Sequence, residues 1–175
     1  MNQVTVNGGL TVDGGAHLRL TNSTVDGGIN VQPGGELDVQ ATTNGAGQPI
    51  PGSSTINGGI VANNPFDIDL RSSVIHGGVS IAGPGTISAV YSVCNVDIRG
   101  GLTVTNLNGS PADIGSGSTP LSACAGNNID GSVTIDRSLV VALVGNTING
   151  SLVCINRGVV SSNSGNSITG PNTCS

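Results

Sequence analysis

Four carboxylates in two short segments are the side chains best placed for chemistry. Glu36 and Asp38 lie in the segment GGELDV, and Asp67 and Asp69 lie in FDIDL. Residues i and i+2 of a β-strand point to the same face, so each pair shares one face of its strand. Carboxylate oxygens are the ligands that Ca²⁺ prefers, and two carboxyl groups about 5 Å apart suit glycoside cleavage with retention. Either use requires a fold that brings the two segments together.

A repeat of 19 or 20 residues puts these two segments at equivalent positions of consecutive units. The residue before the first inward apolar position recurs at steps of 19, 31, 19, 23, 31, 19 and 20 residues. Insertions of about 12, 4 and 12 residues account for the longer steps. The aligned residues are Thr5, Thr24, Thr55, Val74, Asp97, Asn128, Thr147 and Ser167.

Apolar residues line up in five columns across these units, which predicts an all-β fold. The first column is Val6, Val25, Ile56, Ile75, Ile98, Ile129, Ile148 and Ile168, and in the fourth unit Ile87 and Ala89 fill the fourth and fifth columns. A glycine follows the first column two residues later, which predicts a turn at Gly8, Gly27, Gly58, Gly77, Gly100, Gly131, Gly150 and Gly170. Such columns predict a right-handed parallel β-helix (β-solenoid) of about eight coils, with three short strands per coil. A sandwich of hairpins explains the period less well.

The whole chain, residues 1–175, is predicted to be one solenoid domain. Segments rich in Gly, Ser and Pro predict loop insertions near residues 40–53 and 105–120, and a smaller one near 90–94. Long loops on a rigid scaffold can carry function, but their small polar residues also suit plain connections.

Coil stacking predicts that Glu36 lies beside Asp67 and Asp38 beside Asp69, each pair ~5 Å apart. Like charges in register repel one another. A cation, a neighbouring arginine or a raised carboxyl pKa would relieve the repulsion.

Three interpretations of this acidic face stay open. It is a solvated face balanced by Arg19 and Arg71, with His17 beside them, or a Ca²⁺ site, or a carboxyl pair that cleaves glycosides. Against sugar chemistry, Phe66 and Tyr91 are the only aromatic residues. We therefore predict no catalytic residue and no cofactor other than a possible Ca²⁺ held by Glu36, Asp38, Asp67 and Asp69.

Four cysteines predict two disulfides between neighbouring coils. Cys154 and Cys174 each lie seven residues after their aligned residue, so their Cα atoms would lie ~5 Å apart, within disulfide reach. Cys94 and Cys124 lie three and four residues before the next aligned residue, which predicts a second bridge. Two disulfides indicate an oxidising compartment, and reduced buried thiols are the alternative.

Composition limits the partners of the chain. A net charge of −5 with five arginines and no basic cluster argues against nucleic-acid binding. No apolar run approaches the ~20 residues that span a bilayer, and MNQVTVNGG does not look like a signal peptide. End coils of a solenoid expose strand edges, so a homo-oligomer is expected.

The repeat T-V-x-G-G-x-x-V-x-x-G-G resembles the passenger repeats of autotransporter adhesins, although its spacing and its cysteines differ. The segments GNTINGSLVC and GNSITGPNTC resemble secreted β-solenoid proteins of high-GC Gram-positive bacteria. This second resemblance implies an extracellular or cell-surface location and no known activity.

The sequence favours a non-enzymatic extracellular scaffold that presents surfaces to a cell-surface glycan or protein. One alternative is a carbohydrate-binding or polysaccharide-cleaving β-helix that uses the acidic face. Another is a phage or virion surface component.

Overall fold

The chain forms a parallel β-helix in which three sheets enclose one apolar core. The computed structural model describes residues 1–175 except 41, 43, 45–49, 51–53, 84–90, 108–109, 116–123, 140, 157 and 175. The described residues contain 22 strands, arranged in one sheet of eight strands and two sheets of seven. All neighbouring strands are parallel, and each pairs with its counterpart in the next coil. The predicted all-β class and the three strands per coil are confirmed.

Strands are numbered in chain order. The first sheet contains β1 Thr5–Val6, β4 Thr24–Val25, β7 Ser54–Ile56, β10 Ser73–Ile75, β13 Asp97–Ile98, β16 Asn128–Ile129, β19 Thr147–Ile148 and β22 Ser167–Ile168. The second sheet contains β2 Leu10–Val12, β5 Ile29–Val31, β8 Ile60–Asn63, β11 Val79–Ala82, β14 Leu102–Thr105, β17 Val133–Asp136 and β20 Leu152–Ile155. The third sheet contains β3 His17–Thr21, β6 Glu36–Gln40, β9 Asp67–Arg71, β12 Tyr91–Cys94, β15 Ala112–Gly115, β18 Val141–Val144 and β21 Val160–Ser164.

The first apolar column is confirmed through the height of the helix. Val6 pairs with Val25, and the register continues without a shift to Ile148 and Ile168. Val25 and the five isoleucines from Ile56 to Ile148 are fully buried, whereas Val6 and Ile168 in the end coils are partly exposed. Each central coil is thus covered by the coils on both sides, as a solenoid requires.

The recurring glycines lie at the corners between the first and second sheets, as predicted. Most of them, however, do not adopt the positive φ for which a turn would need glycine. Only Gly8 among these eight has a positive φ, at 125°. At Gly58, an added Cβ would lie 2.5 Å from the backbone nitrogen of Gly28, and Gly27 and Gly77 are equally crowded. Glycine is needed there because consecutive corners stack too closely for any side chain.

The third strand of coil four is the main error in the predicted boundaries. Residues 91–94 form strand β12 rather than an insertion, and Tyr91 and Val93 pair with Ile68 and Leu70. They occupy the column positions predicted for Ile87 and Ala89, which lie outside the described residues. The segment ISAV alternates as well as YSVC does, so hydrophobic pattern alone could not distinguish them.

Corner spacing explains the choice. The corner after the third strand contains a residue with positive φ, two positions after the last inward residue of the strand. Ser72 stands in this position after Leu70, and Asn95 stands in the same position after Val93. The extra residues of coil four must therefore precede the strand.

The predicted insertion at 105–120 is also interrupted by a strand. Ala112–Gly115 is β15, which pairs with β12 on one side and β18 on the other. Most of the predicted insertion at 40–53 lies outside the described residues, and Gln40 is the last residue of β6.

Buried asparagines form a hydrogen-bonded ladder inside the last coils that the sequence analysis missed. The Oδ1 atom of Asn146 accepts bonds from the backbone N (3.0 Å) and Nδ2 (2.9 Å) of Asn127. Asn166 repeats this arrangement one coil further, with bonds of 2.8 and 2.9 Å from Asn146. The signal was present as the recurring Gly-Asn before the first strand, at GNNI, GNTI and GNSI. The ladder satisfies corner amides that the strands leave unpaired.

Both predicted disulfides are confirmed. Cys94 bonds to Cys124 with Cα atoms 5.5 Å apart, and Cys154 bonds to Cys174 with Cα atoms 5.0 Å apart. Each bridge joins neighbouring coils. Within the described part of the chain, there is no helix of the length and apolarity that crossing a bilayer takes.

Candidate functional site

The predicted acidic face lies on the outer side of the third sheet. Glu36 pairs in register with Asp67, and Asp38 pairs with Asp69, as the repeat alignment predicts. On the other side of β6, His17 pairs with Glu36 and Arg19 with Asp38. The fold therefore brings together every charged residue that the sequence analysis assigned to this face.

Asp38 is held by groups from its own strand and from β3. Its Oδ2 accepts hydrogen bonds of 2.9 Å from Arg19 Nε and 2.9 Å from Gln40 Nε2. The His17 ring approaches Asp38 to 3.9 Å and Glu36 to 3.7 Å. Asp38 is only 9 % exposed, and its Oδ1 is buried without a hydrogen-bond partner. Burial raises the pKa of Asp38, and the bond from Arg19 opposes that rise.

Asp69 is paired with an arginine on its own strand. Arg71 donates from Nε to Asp69 Oδ1 at 2.8 Å and from Nη2 to Oδ2 at 2.5 Å. This two-point contact fixes the Asp69 carboxylate and compensates part of its charge. The same contact raises the pKa of Arg71.

Asp67 has no cationic partner among the described ion pairs, which distinguishes it from Asp38 and Asp69. Its Oδ1 is buried and has no hydrogen-bond partner. Burial raises the pKa of Asp67 to about 6, and repulsion from Asp69 and then from Glu36 and Asp38 adds to the rise. The face therefore relieves its repulsion in two ways, with arginines at Asp38 and Asp69 and with a more easily protonated carboxyl at Asp67.

The predicted Ca²⁺ site gains no support from this geometry. Across the described residues, no group of three or more His, Cys, Asp or Glu side chains converges as a metal ion would require. Arg19 and Arg71 already occupy oxygens of Asp38 and Asp69 that a cation would use. On this face, arginines pair with the carboxylates of Asp38 and Asp69.

The two aromatic residues have different surroundings. Tyr91 is a core residue, 1 % exposed, whose hydroxyl donates to the Pro65 carbonyl at 3.1 Å. Burial raises its pKa to about 12. Phe66 is 44 % exposed and immediately precedes Asp67. Only Phe66 could therefore stack on a sugar at this face.

Asp113 extends the acidic face and was missed by the sequence analysis, which assigned it to a loop. It pairs in register with Ser92, which in turn pairs with Asp69. Burial raises its pKa. Five carboxylates and two arginines on this face leave three excess negative charges when His17 is neutral. The neutral strand β12 separates Asp113 from the other four.

Comparisons of the chain with protein-family models, with curated proteins and with solved structures found no match.

Proposed function

We propose that the protein is a non-enzymatic extracellular scaffold whose rigid solenoid presents its outer faces to components of a cell envelope. The observation that carries this proposal is the pair of disulfides that join neighbouring coils. Disulfides persist in oxidising environments and are rare in the cytosol. A stacked solenoid braced by such bridges suits a protein that must keep its shape outside the cell.

Cell fractionation combined with thiol counting tests this proposal. We expect the native protein in the extracellular or envelope fraction, with no thiol that reacts under denaturing conditions before reduction and four afterwards. Recovery from the cytosol with four reactive thiols before reduction would overturn the proposal.

A second candidate, a carbohydrate-active enzyme, is favoured by the state of Asp67. A general acid must hold its proton near the working pH, and a carboxyl with a pKa of about 6 can do so. Asp69, held by Arg71, is a charged neighbour on the same strand, and Phe66 offers one exposed ring. In this candidate, Asp67 donates the proton and Asp69 stabilises positive charge that develops on the sugar.

A turnover screen separates the two candidates. Acidic and neutral polysaccharides are incubated with the wild type, Asp67→Asn and Asp69→Asn, and new reducing ends are measured. The scaffold proposal expects no turnover by any of the three proteins. Turnover by the wild type that both variants lose would establish the enzyme instead.

A further inference from the structure

We propose that Asn7, at the corner between β1 and β2, is a site of spontaneous deamidation, where asparagine is converted to aspartate and isoaspartate. Asn7 precedes Gly8, and a glycine in this position hinders the reaction least because it has no side chain. The same pair recurs at Asn57–Gly58, and the two sites have almost the same local sequence, VNGG and INGG. Their surroundings in the folded protein differ, so the fold should decide which of them reacts.

The reaction needs only water and hydroxide, and asparagine is a thermolabile residue for this reason. The Gly8 backbone nitrogen loses its proton to hydroxide and attacks the Asn7 side-chain carbon Cγ, which closes a succinimide ring. The amide nitrogen takes a proton from water and leaves as ammonia. Water then opens the ring at one carbonyl to give aspartate, or at the other to give isoaspartate, in which the main chain runs through Cβ. The attack requires a free glycine N–H, a side-chain amide that can turn, and room for the backbone to rotate.

Both reacting groups of Asn7–Gly8 are free of hydrogen bonds. Within the described part of the chain, the Asn7 side chain forms no hydrogen bond and the Gly8 backbone nitrogen donates to no acceptor. Gly8 is tied to the next coil through its carbonyl oxygen, which accepts from Gly27 N at 2.9 Å. Asn7 and Gly8 are both exposed, so water and hydroxide reach them.

Both reacting groups of Asn57–Gly58 are held by hydrogen bonds. Asn57 Nδ2 donates to Asp26 Oδ1 at 3.0 Å, and Gly58 N donates to Gly27 O at 3.1 Å. The attack at this site must first break both bonds, which should slow it about tenfold or more. Asn57 is exposed like Asn7, so access of water does not distinguish the two sites.

The space around the two glycines differs in the same direction. A Cβ added at Gly8 would meet no atom within 4 Å, whereas one added at Gly58 would lie 2.5 Å from Gly28 N and 2.7 Å from the carbonyl carbon of Gly27. The Gly58 corner is thus packed against the corner of the preceding coil, and its backbone cannot rotate without displacing that coil. The backbone at Gly8 has the room that ring closure requires.

The third Asn-Gly pair of the described coils is Asn149–Gly150. Asn149 Nδ2 donates to Asp130 Oδ1 at 2.9 Å, and a Cβ added at Gly150 would lie 2.7 Å from the Gly131 carbonyl oxygen. Because its amide is held and its corner is packed, this pair should also react more slowly than Asn7. The pairs at 44–45 and 108–109 include residues outside the described part of the chain, and the proposal does not concern them.

The product changes the charge of the first corner. Val6 pairs with Val25, so the residues that follow them, Asn7 and Asp26, occupy the same position in neighbouring coils. Deamidation therefore puts a second carboxylate beside Asp26 at the coil spacing of ~4.8 Å, and like charges in register repel. Each modified molecule is also more acidic than the unmodified chain, whose formal net charge is −5. Anion-exchange chromatography should therefore separate the two forms.

The test is to age the purified protein in mildly alkaline water enriched in oxygen-18 and to follow each site by peptide mass spectrometry. A residue that has passed through the succinimide carries the heavy oxygen. Cleavage after arginine releases residues 1–19, in which Asn7–Gly8 is the only Asn-Gly pair, and fragment ions locate Asn57 in its own peptide. In the folded protein, Asn7 should react about tenfold faster than Asn57, or more. In concentrated guanidinium chloride, the two sites should react at similar rates because their local sequences are nearly the same.

Asn7→Gln is the control variant, because its longer side chain would have to close a larger and less favourable ring. Residues 1–19 of this variant should stay free of the heavy oxygen, and label that persists there would show that another residue reacts. Equal rates at Asn7 and Asn57 in the folded protein would overturn the proposal. So would a rate difference that persists in guanidinium chloride, because it would then come from the sequence rather than from the fold.

Discussion

At the scale of single residues, Asp67 links stability to pH. Its pKa in the folded protein is about 6, above the ordinary value of 3.8, because the carboxyl is buried beside other carboxylates. The folded protein therefore binds a proton that the unfolded chain releases between these values. The stabilising contribution of Asp67 is fully present below pH 3.8 and is lost as the pH rises through about 6.

Asp67→Asn should remove this dependence. In urea unfolding, the wild type should lose more stability between about pH 4 and about pH 8 than the variant does, and the variant should be the more stable of the two near pH 8. Asp13→Asn is the matched control, because Asp13 is exposed and occupies a turn that asparagine suits equally well. Equal pH slopes in wild type and Asp67→Asn would contradict the linkage.

Asn146 should be among the costliest polar residues to remove. It is 1 % exposed, and its side chain also donates from Nδ2 to Ile114 O at 3.0 Å. Asn146→Ala leaves buried donors and acceptors unpaired, which should cost about 3 kcal/mol of unfolding free energy. Asn149→Ala, three residues away, loses one exposed bond to Asp130 and should cost less than ~0.5 kcal/mol. Denaturation of the two variants compares them, and similar losses would show that the buried ladder contributes little.

At the scale of elements, sequence predicts what is strictly periodic. The register from Val6 to Ile168 follows from the repeat alone, because a buried column fixes which residue of each coil points inward. The disulfides follow from the same register. The third strand of coil four could not be predicted in this way. The neighbouring segments ISAV and YSVC have the same alternation of apolar residues, and only the corner at Asn95 distinguishes them.

For the acidic face, too, the sequence predicted some features and not others. Periodicity predicted that Glu36 and Asp38 meet Asp67 and Asp69. It could not predict that Asp67 lacks an arginine partner, because Arg71 bonds to Asp69 within its own strand. Nor could it predict that Tyr91 is buried and unavailable to a ligand.

The bridge from Cys154 to Cys174 should hold the last partial coil in place. Beyond β22, the described residues of the tail pair with the preceding coil through the Leu152–Asn172 bridge and a 3.0 Å bond from Cys154 N to Thr173 Oγ1. A disulfide with a sequence separation of 20 contributes about 3 kcal/mol in the chain-entropy model. Cys174→Ser should free the chain from about Ile168 onward, measured as loss of hydrogen-exchange protection there. Unchanged protection of the tail would refute this.

The other disulfide provides the control. Cys94→Ser/Cys124→Ser removes the bridge between earlier coils, where strands β12 and β13 lie in the middle of their sheets. Protection of the tail should survive in this double variant. If both variants release the tail, the effect is global destabilisation rather than local docking.

At the scale of the whole molecule, the free energy of unfolding is the sum of contributions from the interfaces between neighbouring coils. Each strand of the described coils pairs only with its counterparts above and below, so a coil is stabilised by two neighbours in the middle and by one at an end. The same side chain should therefore contribute more in a central coil than in a terminal one. This is a property of the architecture, because the first-column position recurs in register in every coil.

Two isoleucines in the first column test this property. Ile75 is fully buried between Ile56 and Ile98, whereas Ile168 is partly exposed and pairs only with Ile148. Ile75→Ala should leave a cavity and cost about 4 kcal/mol, whereas Ile168→Ala should cost about 1–2 kcal/mol. Urea unfolding measures the two losses, and hydrogen exchange should show that Ile168→Ala exposes only the last coil. Equal losses with the same spread of exchange would mean that the solenoid unfolds as a single unit, in which the position of a coil does not matter.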